Sequence, residues 1–402
     1  MTRSPEPTRE PESRPESRPE SRPESRKVRV GVIFGGRSGE HEVSLASAAS
    51  ALAAIDPARY DVIPMGITRD GHWLVGGDPL RALAEAAGVP FALPPGVPSA
   101  NPGSGHALAR VTTAGGLPAG TAASLDVMFP LVHGPYGEDG TLQGLLELAD
   151  VPYVGAGVLA SAVGMDKAAM KAVFRAHDLP VVPYLVLRDH EWRGAPGAWR
   201  RRVADELGYP CFVKPANLGS SVGISKVTAE RALEAAVATA FTHDRKILVE
   251  RGVLGREIEV GVLGNDEPEA SVPGEVLPGR EWYDYEAKYT DGIAKLLIPA
   301  PLAPALTAEF RRLAVAAFRA IDAAGLARVD FFLDTDDRIW VNEINTIPGF
   351  TRFSAYPRLW EASGLPYPAL VDRLIALALE RHARKRRLAT PAPPGTEPGG
   401  GA

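Results

Sequence analysis

Arg328, Asp330, Glu343 and Asn345 are the residues whose types and spacing point most directly to chemistry. They lie on two apolar runs, Arg328–Leu333 and Ile339–Ile344, joined by Asp334-Thr335-Asp336-Asp337, a pattern that reads as a β-hairpin. Side chains at i and i+2 of a strand share a face, so Arg328 groups with Asp330, and Glu343 with Asn345. Pairing across the turn would gather two carboxylates, an amide oxygen and a guanidinium. Hard oxygen donors of this kind suit Mg²⁺, which takes one or two protein carboxylates and completes its octahedron with water and phosphate oxygens. The polar outer face of an amphipathic hairpin would carry the same residues, and spacing alone does not separate the two readings.

A second segment, Lys214-Pro215-Ala216-Asn217-Leu218-Gly219-Ser220-Ser221-Val222-Gly223, lies between two apolar runs. Its glycines would let the backbone approach an anion, its N–H groups and hydroxyls could cradle phosphate oxygens, and Lys214 adds charge. It lacks the Gly-Lys-[Ser/Thr] ending of a Walker A loop, and an ordinary hairpin loop is the plainer reading. Lys167 and Lys171, four apart, read as a solvated helix face. Glu250, Glu257 and Glu259 could face a ribose or an adenine amine, or simply the solvent. His133 opens a turn-rich loop, Gly134 to Gly140, that also holds Glu138 and Asp139. Gly35-Gly36-Arg37-Ser38-Gly39-Glu40-His41-Glu42 misses the spacing of a dinucleotide fingerprint, and Glu40 and Glu42 at a helix start would repel a pyrophosphate. A carboxylate there suits an ammonium better.

The elements that must position these residues fall into three groups. Residues 27–34 predict a buried strand, Gly35–Gly39 a tight turn and Val43–Ile55 a helix. Strands near Tyr60–Ile67 and Leu125–Val132 would complete a mostly parallel sheet, with Leu93–Gly120 as a surface excursion and ligands at the strands' C-terminal ends. Short β-branched runs interleaved with helices from Asp166 predict a separate α+β lobe, and the helix Pro304–Ala324 with the hairpin makes a third.

At 402 residues the chain is long enough for two or three such lobes. A formal charge of −5 gives no electrostatic footprint for nucleic acid or an anionic membrane, which leaves a small charged metabolite as the expected partner. No run approaches a membrane-spanning length. The single cysteine, Cys211 in an apolar run, excludes an internal disulfide and reads as a packed hydrophobe. Residues 11–26 are four tandem Pro-Glu-Ser-Arg copies whose charges balance and whose prolines oppose helix and strand, so residues 1–26 and the Pro/Gly-rich end from 389 are set apart as disordered tails.

Taken in order, these segments resemble the D-alanine:D-alanine ligases of the ATP-grasp fold. The resemblance covers residues 27–385 and rests on Gly35-Gly36 through Leu45, His133-Gly134 through Gly144, Met165-Asp166-Lys167, Val213-Lys214-Pro215, Gly219–Gly223, Tyr283-Asp284-Tyr285-Glu286-Ala287-Lys288-Tyr289 and Asn342-Glu343-Ile344-Asn345-Thr346 with Pro348-Gly349. It implies an α/β N-terminal domain over 27–164, a central ATP-grasp lobe over 165–270 and a C-terminal lobe over 271–388. Implied too are ATP, two Mg²⁺ or Mn²⁺ ions, D-alanine as substrate, a homodimer and a cytoplasmic setting.

On this resemblance Lys167, Lys214, Lys288 and the flap residues Ser220, Ser221 and Gly223 would touch the phosphates, while Glu250 and Glu257 hold the adenine and ribose ends. Asp330, Glu343 and Asn345 would bind the metal ions. Glu42 would take the ammonium of the first D-alanine in a hydrogen-bonded set with Ser220 and Tyr289, and His133 would stand near the reacting carboxyl. Arg328 and the Gly349 N–H would stabilise an oxyanion, and Ser354 with Lys288 would hold the second carboxylate. The Tyr-Asp-Tyr-Glu-Ala-Lys-Tyr loop resembles the dipeptide-forming type, with Glu281–Asp291 as a lid. Another ATP-grasp carboxylate-amine ligase, or a D-alanine:D-lactate ligase, is the alternative. Gly252 departs from the large apolar residue of many relatives near adenine.

Overall fold

The structure, a computed structural model, describes residues 26–91, 109–111, 117, 124–277 and 295–388. Three sheets carry the chain, each built where apolar runs could close a core. In the first, β1 (Val28–Gly35) leads into α1 (His41–Ala54), then β2 (Tyr60–Ile67), β3 (Trp73–Val75), α2 (Pro79–Ala87), β4 (Ala109–Val111), β5 (Val127–Pro130) and α3 (Thr141–Leu148), with strand order β4-β3-β2-β1-β5. β1 pairs parallel with both β2 and β5, which puts the ends of β1 and β5 side by side. β3 and β4 add antiparallel edge pairing, so Ala109–Val111, inside the expected surface excursion, belongs to the sheet.

After α4 (Val158–Met165) and α5 (Lys167–Ala176), the second sheet comprises β6 (Tyr184–Arg188), β7 (Cys211–Pro215), β8 (Ser225–Val227) and β9 (Lys246–Arg251), ordered β6-β9-β7-β8 and backed by α6 (Leu233–Phe241). Its core holds Leu187, Val213, Val249 and Cys211. Burial pushes the Cys211 thiol up to about 11. A native-state titration with a thiol reagent is therefore expected to show no fast reaction, with one thiol released only on denaturation.

The third sheet runs β10 (Gly255–Gly264), β11 (Glu269–Ala270), β12 (Gly274–Leu277), β13 (Lys295–Leu297), β14 (Gly325–Asp334) and β15 (Ile339–Asn345), ordered β13-β12-β10-β14-β15, with β11 pairing β10. The central lobe expected over 165–270 thus ends earlier. Residues 255–264 pair along their whole length with 325–334, and a strand's own pattern does not say which sheet it joins. The helix α7 (Pro304–Ala320) covers one face of this sheet through Phe310, Leu313 and Phe318.

The last helices, α8 (Ala355–Ala362) and α9 (Tyr367–Arg387), return to the first domain, where Leu370, Leu374 and Ile375 share a core with Val30, Val32 and Leu52. Phe350, just before α8, lies edge-on to Phe129 at 5.5 Å and beside Tyr367 at 5.4 Å. This packing brings the segment after β15 against the ends of β1 and β5. Among the described residues no helix is long and apolar enough to cross a membrane.

Candidate active site

The hairpin forms as its pattern predicts, with Arg328 opposite Asn345 and Asp330 opposite Glu343. A β-bulge then shifts the register, pairing Phe331 with Val341, so Val341 and Ile344 are both buried although three residues apart. The extra residue, Asn342, offers its carbonyl oxygen to Lys171 Nζ at 3.0 Å. Arg328 donates from Nε and Nη2 to the two oxygens of Asp330, both at 2.7 Å, and Asn345 Nδ2 donates to Asp330 Oδ2 at 3.0 Å. Glu343 lies 3.2 Å from Lys167 Nζ.

The hard oxygen donors therefore share one face, and cations of the protein already rest on both carboxylates, a potential that also suits a divalent ion. Among the described residues no three His, Cys, Asp or Glu side chains gather at metal-binding distance. The set is two carboxylates and an amide, which fits an ion completed by phosphate and water.

Lys167 is mostly buried and donates to the Leu218 carbonyl oxygen at 2.8 Å, linking the hairpin to the loop after β7. Lys171 is 1% exposed. The solvated helix face expected for this pair is thus corrected: α5 turns both lysines inward. Glu250 of β9 lies between Lys171, 2.6 Å away, and Lys214, which also donates to it. Burial alone would raise the Glu250 carboxyl, but the two ammonium groups outweigh it and hold it below the ordinary range. Burial pushes Lys171 down, whereas Lys214 is held up because Glu250 faces it. The Glu250 carboxylate, expected at the adenine end, is thus committed to an internal ion cluster, since the β7–β9 pairing sets Glu250 opposite Phe212 and diagonal to Lys214. Glu257 lies on β10, on the face it shares with Glu259.

Beyond Leu218 in the same loop, the residue that meets Ser220 is Glu40. The Ser220 hydroxyl donates to Glu40 Oε1, whereas Glu42 accepts from Arg69. The expected Glu42–Ser220 set is therefore corrected to Glu40–Ser220. In α1 the inward stripe is His41, Ser44, Leu45 and Ala48, and Glu42 falls off that stripe onto the outer side. Glu40 stands at the N-cap position of α1, beyond the end of β1, and its side chain makes no bond to the helix's own N–H groups. Arg69 outweighs the effect of burial and keeps the Glu42 carboxyl below its ordinary range. Gly134 has φ +74°, and a Cβ on it would come 2.6 Å from Glu40 Oε2; one on Gly219 would come within 3.4 Å of the same oxygen. Both backbones thus close around this carboxylate.

Ser220 and Ser221 adopt φ of 51° and 59°, left-handed conformations that cost non-glycine residues about 1–3 kcal/mol each and persist only where the surroundings hold them. Glu40 is part of that hold.

His133 is 3% exposed; its Nδ1 donates to the Ile347 carbonyl oxygen at 2.9 Å and its Nε2 meets the Ser47 hydroxyl at 2.9 Å. Burial would push the imidazole down, but Glu138, 3.6 Å from Nδ1, and Glu40 move it upward overall. Ser47 also accepts from the Phe350 N–H at 3.2 Å, so α1 anchors the loop that carries Gly349. A Cβ on Gly349 would lie 3.2 Å from Ser354 Oγ, which accepts from the Thr351 N–H at 3.0 Å at the start of α8. Ser47, Lys171 and Glu259 are participants that sequence reasoning missed or left unplaced. Lys288 and Tyr289, with the expected lid, lie outside the described residues.

A line of contacts thus runs from Glu40 through Ser220 and Leu218 to Lys167, Glu343 and Asp330. Residues 29–156 match the family model described as D-ala D-ala ligase N-terminus, and residues 173–376 that described as D-ala D-ala ligase C-terminus. The chain belongs to the D-alanine–D-alanine ligase family. It is 50% identical over 362 residues to the D-alanine–D-alanine ligase of Geobacillus thermodenitrificans, covering 90% of this chain and 98% of that one. With the ligase of Heliobacterium modesticaldum it shares 52% identity over 373 residues, again 90% and 98% of the two chains. Among solved structures, the D-alanine–D-alanine ligase of Coxiella burnetii matches with a TM-score of 0.75 at 37% identity, over 90% of this chain and 96% of that one. The VanG D-Ala:D-Ser ligase of Enterococcus faecalis matches with a TM-score of 0.74 at 32% identity, over 88% and 100%. The ligase family accounts for the three-sheet architecture, in which an N-terminal α/β domain precedes an ATP-grasp pair.

Proposed function

We propose that this ligase joins two D-alanine molecules into D-alanyl-D-alanine for peptidoglycan precursors, with ATP converted to ADP and phosphate. The observation that carries this reading is the Glu40–Ser220 contact, which sets a carboxylate suited to an ammonium at one end of a cleft whose other end holds lysines and hard oxygen donors.

A carboxylate is a poor electrophile, so the first D-alanine must be activated before an amine can attack it. Its ammonium pairs with Glu40, which orients its carboxylate toward the γ-phosphorus of ATP. Phosphoryl transfer from ATP to that oxygen needs positioned positive charge more than covalent help. Lys214 and Lys167 supply such charge, with the Ser220–Gly223 flap over the phosphates. Asp330, Glu343 and Asn345 would hold two Mg²⁺ or Mn²⁺ ions, which would supply further neutralisation of the phosphoryl charge. The amine of the second D-alanine, once deprotonated, attacks the acyl carbon of the resulting acyl phosphate, Arg328 with the Gly349 N–H stabilises the tetrahedral oxyanion, and phosphate leaves as the amide carbonyl re-forms. His133, held by Ile347 and Ser47, lies beside the reacting carboxyl, and Ser354 with Lys288 takes the second carboxylate. Glu257 reaches the ribose, and Glu250 fixes Lys171 and Lys214, the second of which serves the phosphates. A homodimer and a cytoplasmic location complete the reading.

The test is an ADP-release assay with D-alanine alone, then with D-serine, D-lactate or L-alanine as the second substrate. D-Alanine is expected to support turnover that rises from about pH 6 to about pH 8.5 as the attacking amine deprotonates. Faster formation of the D-lactate ester or of D-alanyl-D-serine than of D-alanyl-D-alanine would refute the assignment.

A further inference from the structure

Glu259 is 5% exposed and lies across β10 from Asp330. The sheet register sets Glu259, Asp330 and Glu343 in one row and Gly261, Arg328 and Asn345 in the next. Glu259 Oε1 lies 3.3 Å from Arg328 Nε, the nitrogen that also donates to Asp330 at 2.7 Å. Arg328 is thus shared by two carboxylates, with Asp330 holding the better geometry.

Asp330 receives three donors, two from Arg328 and one from Asn345. A carboxylate so engaged has to give up its guanidinium before a hard cation can use both of its oxygens. The released guanidinium, its side chain only 15% exposed, would then be a nearly buried charge without its main counter-ion, which is costly. Glu259 is already in place to receive it.

We propose that Glu259 is a positioning residue: it takes over Arg328 when Asp330 turns to a divalent ion, and so keeps the guanidinium on the reacting face. The inference rests on the reading of Asp330 as a metal ligand. Its consequence is that metal affinity depends on Glu259 through Arg328. Without the Glu259 carboxylate, Arg328 has more reason to stay on Asp330, and the ion must compete for it.

The test is Mn²⁺ binding followed by electron paramagnetic resonance on the full chain with ADP present. Glu259→Gln is expected to weaken Mn²⁺ binding by about tenfold, the size of a charge-assisted hydrogen bond. Glu259→Asp, which keeps the charge but shortens the reach, should also weaken it. In an Arg328→Met background the Glu259→Gln effect should shrink to less than about twofold, since the guanidinium then no longer competes for Asp330. Unchanged Mn²⁺ affinity in Glu259→Gln overturns the proposal, and so does an undiminished loss in the Arg328→Met background, which would mean a plain field effect. Wild-type protein that is folded yet binds no Mn²⁺ would instead remove the metal reading itself.

A measurement on the wild type guards against a variant that does not fold. The Arg328 Nε–H, assigned in ¹⁵N-arginine-labelled protein by its loss in Arg328→Lys, should stay protected from exchange when Mg²⁺ and ADP are added. Rapid exchange under those conditions would overturn the hand-over.

Discussion

Glutamine at position 40 is expected to lower kcat/KM for the first D-alanine by about 30- to 1000-fold, whereas glutamine at position 42 changes it less than about threefold. The first range corresponds to about 2–4 kcal/mol, the lower part of the loss attached to truncating one partner of a buried, hydrogen-bonded charge pair. Glu40 is enclosed by Gly134, Gly219 and Ser220, so an ammonium that reached it would have few other partners. Glu42 is 36% exposed at its side chain and pairs with an Arg69 that is 55% exposed. Exposed ion pairs contribute roughly 0–1 kcal/mol, and this one is turned away from the cleft. Because glutamine at 40 can still accept from Ser220, the flap should close, and the loss should appear mainly in the D-alanine dependence. Steady-state kinetics with D-alanine and ATP varied separately would check this. A large loss in Glu42→Gln beside a small one in Glu40→Gln would restore the sequence assignment.

The second large effect is on stability. Glu250→Gln is expected to destabilise the protein by about 3–5 kcal/mol near neutral pH, because it leaves the ammonium groups of Lys171 and Lys214 buried without their carboxylate. The Glu250 carboxyl titrates lower in the folded chain than its ordinary value of 4.5. Its contribution is therefore fully present above that ordinary value and is lost as pH falls through the lower folded-state value. Urea unfolding of the two proteins should show a deficit that is widest near neutral pH and narrows in acid. Adding Lys171→Met to Glu250→Gln should recover part of the loss by removing one of the stranded charges. A deficit below about 1 kcal/mol, or one that does not change with pH, would mean that the ion cluster is not what holds this part of the central sheet.

Much of the site was legible because strand periodicity is a local property. Arg328, Asp330, Glu343 and Asn345 could be placed on one face by counting residues, and the paired strands set them opposite one another. Residue type alone left the Gly/Ser loop after Lys214 open between a phosphate flap and an ordinary hairpin loop, and the flap reading came from the resemblance. The exchange of Glu42 for Glu40 shows where such reading stopped. Both carboxylates stood in the right segment, but choosing between them required the first turn of α1, where His41, Ser44 and Leu45 face inward and Glu42 does not. Likewise Lys171 looked like a solvent lysine because its partner, Glu250, lies far along the chain and meets it only after two elements pack.

Residue order and type alone thus carried the family resemblance, the parallel pairing in the opening sheet and the hard-donor hairpin, since each depends on neighbours a few positions apart. The choice of Glu40, the Lys171–Glu250–Lys214 cluster, the transfer of Gly255–Gly264 to the third sheet and the docking of the final helices on the first domain came from packing. Those outcomes turn on which buried charge finds which counter-charge, and on which strand edge is left to pair. Both are settled between segments far apart in the chain, where a local pattern is silent.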